Sequence, residues 1–229
     1  MSLGEYTRGI AFVLEGATEK VFYRAFLKWH AEQNNCSFVK GDNLDNGDIY
    51  FEWDNGAETI LIKFNVVGTV TQVSHSGKWF ANKCVKKYRM PWKVFLCYDT
   101  DSSEYDITKF YQDDWKLLRK DLVKAKAEEI IDLAASADIE DIILTDLSGV
   151  CAYLGIGVPE KLCGRKGKAK MKALYRSCGN TYHEGDKAET MIESLNFQKI
   201  VDYSPLDLEK LSTVLAKPQN IVDNNQQTT

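Results

Sequence analysis

Trp92-Lys93-Val94-Phe95-Leu96-Cys97-Tyr98-Asp99-Thr100-Asp101-Ser102-Ser103 is the stretch on which the reading of this chain turns. Val94 to Tyr98 are residues that mostly favour extended backbone, with Pro91 just upstream and a polar turn just downstream. Such an uninterrupted apolar run predicts a strand buried on both faces of a parallel sheet. Ligands in open α/β sheets collect outside the carboxyl ends of the strands, so Asp99 and Asp101 are expected to stand in a site. Residues i and i+2 of a strand point the same way, and the two carboxylates are expected to converge on one cation.

The same pattern occurs upstream. Gly9-Ile10-Ala11-Phe12-Val13-Leu14 is a second apolar run, and it too ends in an acid, Glu15. Thr18 is expected to cap the helix that follows. On that helix Val21, Phe22, Ala25, Phe26 and Trp29 recur at helical spacing and form a face for the sheet. Glu19 falls in the first turn, where an anion favours the helix dipole, so its role is either to start the helix or to serve the site. Residues 48–53 and 58–67 flank Asn55-Gly56 and read as a hairpin. Residues 38–62 are accordingly expected to be a β insertion placed before a parallel strand that ends near Gly68, and the polar run from Cys36 to Gly47 a loop.

Further along, the spacing predicts a helix over 75–88, a long helix over 113–135 and a fourth acid-bounded strand at Asp141-Ile142-Ile143-Leu144-Thr145-Asp146. Four strands alternating with helices imply an α/β fold with a mainly parallel four-stranded sheet. The character changes after Leu147. Residues 147–217 are expected to form a helical extension, with helices near 147–154, 186–195 and 205–216. Residues 1–8 read as a loose leader and 218–229 as a disordered tail. Between the first two of these helices lies the single basic segment of the chain, with Arg165, Lys166, Lys168, Lys170 and Lys172. It reads as a solvated helix face or as an arm that tracks nucleic-acid phosphates.

The chain has 229 residues, 44% hydrophobic and 27% charged, and a formal net charge of −4, which suits one large globular core rather than a uniformly basic surface. No apolar run approaches the roughly 20 residues of a membrane span. Six cysteines without a CxxC pair are expected to stay reduced, in a cytoplasmic protein. Without GxxxxGK[ST] there is no P-loop reading. Cys163, Cys178 and His183 lack the pair spacing of a zinc site, although they are the one trio that could be offered.

An acid at the end of nearly every strand, free of cysteine, suits Mg²⁺ or Mn²⁺. One or two such ions activate water and neutralise charge on a phosphodiester. Asp99 and Asp101 are the expected ligands. Glu15 is a further ligand or a general base or acid, and Asp141 or Asp146 stands at a fourth strand end.

At this point the residues carry a resemblance. Leu14-Glu15-Gly16-Ala17-Thr18-Glu19-Lys20, followed at a distance by a strand ending Asp99-Thr100-Asp101-Ser102, resembles the TOPRIM domain of topoisomerases, primases and nucleases. Its local form is closest to small nuclease-like bacterial members of the overcoming-lysogenization-defect type. The resemblance covers residues 9–146 and implies a Rossmann-like core. It implies a metal-dependent phosphoryl-transfer nuclease acting on DNA or RNA, with Glu15, Asp99 and Asp101 catalytic and Glu15, Glu19, Asp99 and Asp101 binding Mg²⁺. Ser103-Glu104 stands where the family often has glycine, and the β insertion at 38–62 is unusual. Two other readings compete. A haloacid-dehalogenase-type phosphatase would use Asp99 as nucleophile and Asp101 as acid and base. A non-catalytic binding module would work with a partner ATPase or mobile-element protein.

Overall fold

The computed structural model describes residues 6–41, 49–68, 73–102 and 106–216. The expected leader at its first five residues, the loop at 42–47, the Ser103-Glu104 departure and the tail at 218–229 lie outside the described residues. The fold is α/β, and the sheet has six strands in the order β2-β3-β4-β1-β5-β6 rather than four. These are β1 (Arg8–Leu14), β2 (Ser37–Lys40), β3 (Tyr50–Asp54), β4 (Thr59–Val66), β5 (Trp92–Asp99) and β6 (Glu129–Ala135). β4, β1, β5 and β6 run parallel, with Leu14 opposite both Val66 and Cys97, and Asp99 opposite Ala135. β2 and β3 add an antiparallel edge, so part of the loop expected from Cys36 to Gly47 is strand, paired to β3 from Ser37 to Lys40. The hairpin turn forms at Asn55, whose Oδ1 accepts the N–H groups of Ala57 and Glu58 at 3.0 Å, and Gly56 takes φ +79. The turn joins β3 directly to β4, so the expected insertion widens the main sheet instead of preceding a separate core strand.

Two further expectations are corrected. The helix predicted over 113–135 is α3 (Asp113–Lys124) followed by strand β6. Lys126 turns to φ +66 and its N–H bonds Val123 O, which stops the helix. Beyond it Ile130 packs on one side of the sheet and Ile131 and Leu133 on the other, a period of two that apolar content alone had hidden in the longer helical pattern. The strand predicted at 141–146 is instead α4 (Ile139–Ile143) and a 3₁₀ turn at Leu144–Asp146. Asp138 caps α4 by accepting the Asp141 N–H at 2.9 Å, and Ile139, Ile142 and Ile143 bury one helical face.

Alternation along the strands builds two cores. Ile10, Phe12, Leu14, Phe95 and Cys97 face α1 (Ala17–Gln33), while Ala11, Val13, Val94, Leu96 and Tyr98 face α2 (Val73–Trp79) and α3. α2 runs on as a π-helical turn, Phe80–Val85, close to the expected 75–88. The C-terminal helices share the α1 core: α5 (Leu147–Leu154), α6 (Gly167–Ser177), α7 (Glu189–Glu193), α8 (Phe197–Tyr203) and α9 (Glu209–Leu215). Sequence spacing indicated no helix at α8, which starts where Asn196 Oδ1 accepts the Lys199 N–H at 3.1 Å. Phe12, Phe22, Phe26, Phe95 and Phe197 are fully or almost fully buried there. Each contributes roughly 1.5–3 kcal/mol through removal from water. This packing lays the loops of the extension across the carboxyl ends of the parallel strands.

Candidate functional site

The four parallel strands end together because their hydrogen bonds continue past the sheet: Glu15 N to Cys97 O at 3.0 Å, Gly68 N to Glu15 O at 3.0 Å and Thr100 N to Ala135 O at 2.9 Å. Above these ends opens a cleft of about 780 Å³. Glu15 and Asp99 lie at its base with Asp101 at its rim, Gly16–Glu19 and Asp138–Glu140 form two walls, and Lys168 and Lys172 of α6, with Arg165 and Lys166 just before it, approach together with Glu184.

Asp99 prolongs the row of Phe95 and Cys97, so its carboxyl group enters the core side, under α1. Its N–H donates to Glu15 Oε2 at 3.2 Å, yet its own Oδ1 is buried without a hydrogen-bond partner among the described residues. Burial, then the charges of Glu19, Glu15, Glu140 and Asp138, push its pKa up to about 9. Glu19 is buried in the first turn of α1 and its pKa rises to about 7, chiefly by burial, against the pull of its own N–H and that of Gly16. The carboxylate folds back so closely over Gly16 that a Cβ there would stand 2.7 Å from Oε2. Glu19 therefore both starts the helix and belongs to the acid cluster. Glu15 is raised as well, first by burial, with the Asp99 N–H opposing. Thr18 does not cap α1. The cap position is Gly16, and Thr18 Oγ1 instead accepts the Gly185 N–H at 3.1 Å, anchoring the C-terminal extension to the cleft.

Asp101 does not converge with Asp99. Thr100 is fixed by Ala135 O, Asp101 then turns to φ +61, and its carboxylate meets Lys109 Nζ at 3.0 Å and Lys166 Nζ at 2.9 Å. The Lys166 ammonium, against burial and with Lys109 helping, holds its pKa below the ordinary range. The i, i+2 rule fails here because the chain leaves the strand at Asp99.

Two acids that sequence reasoning missed complete the walls. Asp138 and Glu140 follow β6, the strand hidden inside the expected long helix; with that strand in place, an acid after its end would have been the signal. Glu140 is buried, accepts the Tyr182 hydroxyl at 3.0 Å, and rises to about 7, chiefly by burial. Asp138 is raised by burial, against the N–H groups of Lys168 and Asp141. Asp141 and Asp146 are tethers instead. Asp141 holds Lys170 at 2.5 Å and the Gly167 N–H at 2.9 Å, while Asp146 caps α5 and accepts the Asn196 N–H at 2.9 Å.

Of the five expected phosphate-binding residues, Lys166, Lys168 and Lys170 are engaged by Asp101, Glu184 and Asp141, respectively. Arg165 and Lys172 line the cleft with no acidic partner among the described residues. Cys163, Cys178 and His183 form no metal set, and all six cysteines are free thiols. Among the described residues no three His, Cys, Asp or Glu side chains stand ready to hold an ion by themselves. The orphaned Asp99 oxygen nevertheless fits Mg²⁺, which needs only one or two carboxylates and keeps its waters. No described helix is long and apolar enough to cross a membrane.

No family model and no curated protein matches the chain. Among solved structures it is similar to a mutant futalosine hydrolase of Helicobacter pylori, with 8% identity over 87% of this chain and 99% of that one and a TM-score of 0.24. It is also similar to MTAN of Helicobacter pylori (9% identity, 85% and 99% covered, TM-score 0.25). A third is the 5'-methylthioadenosine/S-adenosyl homocysteine nucleosidase of Campylobacter jejuni (11% identity, 82% and 99% covered, TM-score 0.24). At such scores nothing about this chain's fold or chemistry is taken from them. The expectation of a TOPRIM-type phosphoryl-transfer nuclease is corrected on the geometry: that chemistry pairs Asp101 with Asp99 on a metal, whereas Asp101 turns to φ +61 and its carboxylate is held by Lys109 and Lys166.

Proposed function

We propose that the cleft is a binding site for a divalent cation, Mg²⁺ or Mn²⁺, which it offers to a phosphate-bearing ligand such as nucleic acid. The observation that carries this reading is the Asp99 carboxylate, whose Oδ1 is buried with no donor beside it among the described residues while Glu15, Glu19 and Glu140 crowd it with like charge. A buried carboxylate in this state takes either a proton or a cation. Glu15 and Glu19 flank Asp99 as further oxygen donors. Arg165 and Lys172 supply cations on the α6 side for the ligand's phosphate. Free cysteines support a reducing, cytoplasmic setting.

Calorimetric titration with Mn²⁺ tests the reading. Near pH 7 Asp99 holds a proton, so ion binding is expected to release about one proton, seen as a heat that changes with the buffer's ionisation enthalpy. Asp99→Asn is expected to lose most of the affinity. Equal binding by Asp99→Asn, or none by the wild type, refutes it. The second outcome favours a neutral acid cluster that recognises its ligand by hydrogen bonds, a reading supported by the Tyr182–Glu140 bond.

A further inference from the structure

β2 is the outermost strand on one side of the sheet, and no further strand pairs with it among the described residues. The Gly41 N–H bonds Tyr50 O at 3.0 Å, which fixes the phase of the antiparallel ladder. Ser37 and Val39 therefore direct their backbone groups to Asp54 and Glu52, while those of Phe38 and Lys40 point outward. Such a row is a template for another extended chain. Beside it lies a groove of about 200 Å³ between β2, α1 and α7. Phe38 and Phe51, stacked with centroids 5.0 Å apart, line it together with Val21 and Ala25 of α1. Small-molecule sites begin at roughly 300 Å³, so this volume suits a single large side chain. Three cations and two acids also border the groove. Arg24 pairs with Glu189 and Lys28 with Glu193, each at 3.2 Å, whereas Lys40 has no acidic partner among the described residues. A positive charge is thus left over at the end of the strand, in a chain whose net charge is −4. Phe38 and Lys40 face the groove, and Val39, 50% exposed, faces the other side.

We propose that β2 and this groove dock an extended acidic peptide segment of a partner protein, which adds to the sheet as a further strand. Main-chain bonds to Phe38 and Lys40 supply affinity, while an apolar side chain in the groove and a carboxylate on Lys40 supply specificity. Alternation places those two side chains two residues apart in the partner. A second copy of this chain is the poorer occupant, because self-pairing of β2 would bring two such basic grooves edge to edge and set like charges against each other. The surface is separate from the cleft and does not depend on the cation reading.

Random nonapeptides displayed on phage and selected against the full chain are the probe. The most enriched one is then synthesised with a fluorescein label and titrated by fluorescence anisotropy. Enriched sequences are expected to carry Asp or Glu two residues from Leu, Ile, Val or Phe. Lys40→Gln is expected to weaken binding of the labelled peptide about two- to fivefold, the range of an exposed ion pair. Lys40→Pro removes an outward N–H as well, which an edge strand tolerates, and is expected to weaken it about a further fivefold. In the wild-type chain, bound peptide is expected to slow hydrogen exchange of the Phe38 and Lys40 amides roughly tenfold or more and to leave that of Val39, already in the ladder, nearly unchanged. That readout needs no variant, so it decides the matter even where Lys40→Pro does not fold. The proposal is overturned by a selection that enriches nothing, by a peptide that binds both variants as tightly as wild type, or by unslowed exchange at Phe38 and Lys40. Self-association of the chain that slows the same two amides without peptide overturns it in favour of a second copy.

Discussion

Replacing Asp99 by Asn, in protein kept free of divalent ions with a chelator, should stabilise the fold at neutral pH and do nothing at pH 4. The folded chain raises this carboxyl from an ordinary value of 3.8 to about 9. Below the unfolded value both states hold the proton, so the acid costs nothing. As pH rises from there the unfolded chain loses its proton while the folded chain keeps it, and stability falls until the folded value is passed. Each pH unit in that window costs about 1.4 kcal/mol, so the loss reaches about 4 kcal/mol at pH 7. The amide of the variant has no proton to lose and is nearly isosteric with the carboxyl. Urea unfolding at pH 4, 5, 6 and 7 should give curves that coincide at pH 4 and part progressively above it. At pH 7 the variant's melting temperature should lie about 8–16 °C higher, given the usual slope for a chain of this size. Saturating Mg²⁺ should narrow the gap, because only the wild type keeps the carboxylate; a ligand at a hundredfold its dissociation constant stabilises by about 2.7 kcal/mol. A variant no more stable than wild type at pH 7, or a gap that is already present at pH 4, would show that this carboxyl bears no burial penalty.

Two other outcomes concern the cleft walls. A Cβ at Gly167 would collide with the Asp141 nitrogen and Asp138 Oδ1, so Gly167→Ala should push α6 off α4 and cost about 1–3 kcal/mol in urea unfolding. Tyr182→Phe removes the hydroxyl that Glu140 accepts and should cost about 1–2 kcal/mol. That hydroxyl lowers the Glu140 pKa against a larger burial effect, so the cost should grow as pH rises through about 7; a pH-independent cost would refute the assignment.

Local pattern was sufficient where one force dominated. The runs at 10–14 and 94–98 read as buried strands because they are short, rich in β-branched and aromatic residues and closed by polar turns, and Asn55-Gly56 reads as a hairpin turn between two β-rich segments. α1 was legible from its apolar stripe. Where two periods fitted the same composition, as at 113–135, the sequence did not choose. There the decision lay with Lys126 turning left-handed and with the vacant edge of β5, a partner remote in sequence.

The amino-acid sequence by itself determined the α/β class and the presence of Glu15 and Asp99 at strand ends, because burial of an apolar run and the polarity of the residues just after it are local properties. Tertiary structure alone decided which acids meet. Asp138 and Glu140 reach the cleft because β6 pairs with β5, while Asp101 leaves the cluster because one backbone turn hands it to Lys109 and Lys166. Charges attract or repel through space, and the distances that set those energies exist only once the chain has folded.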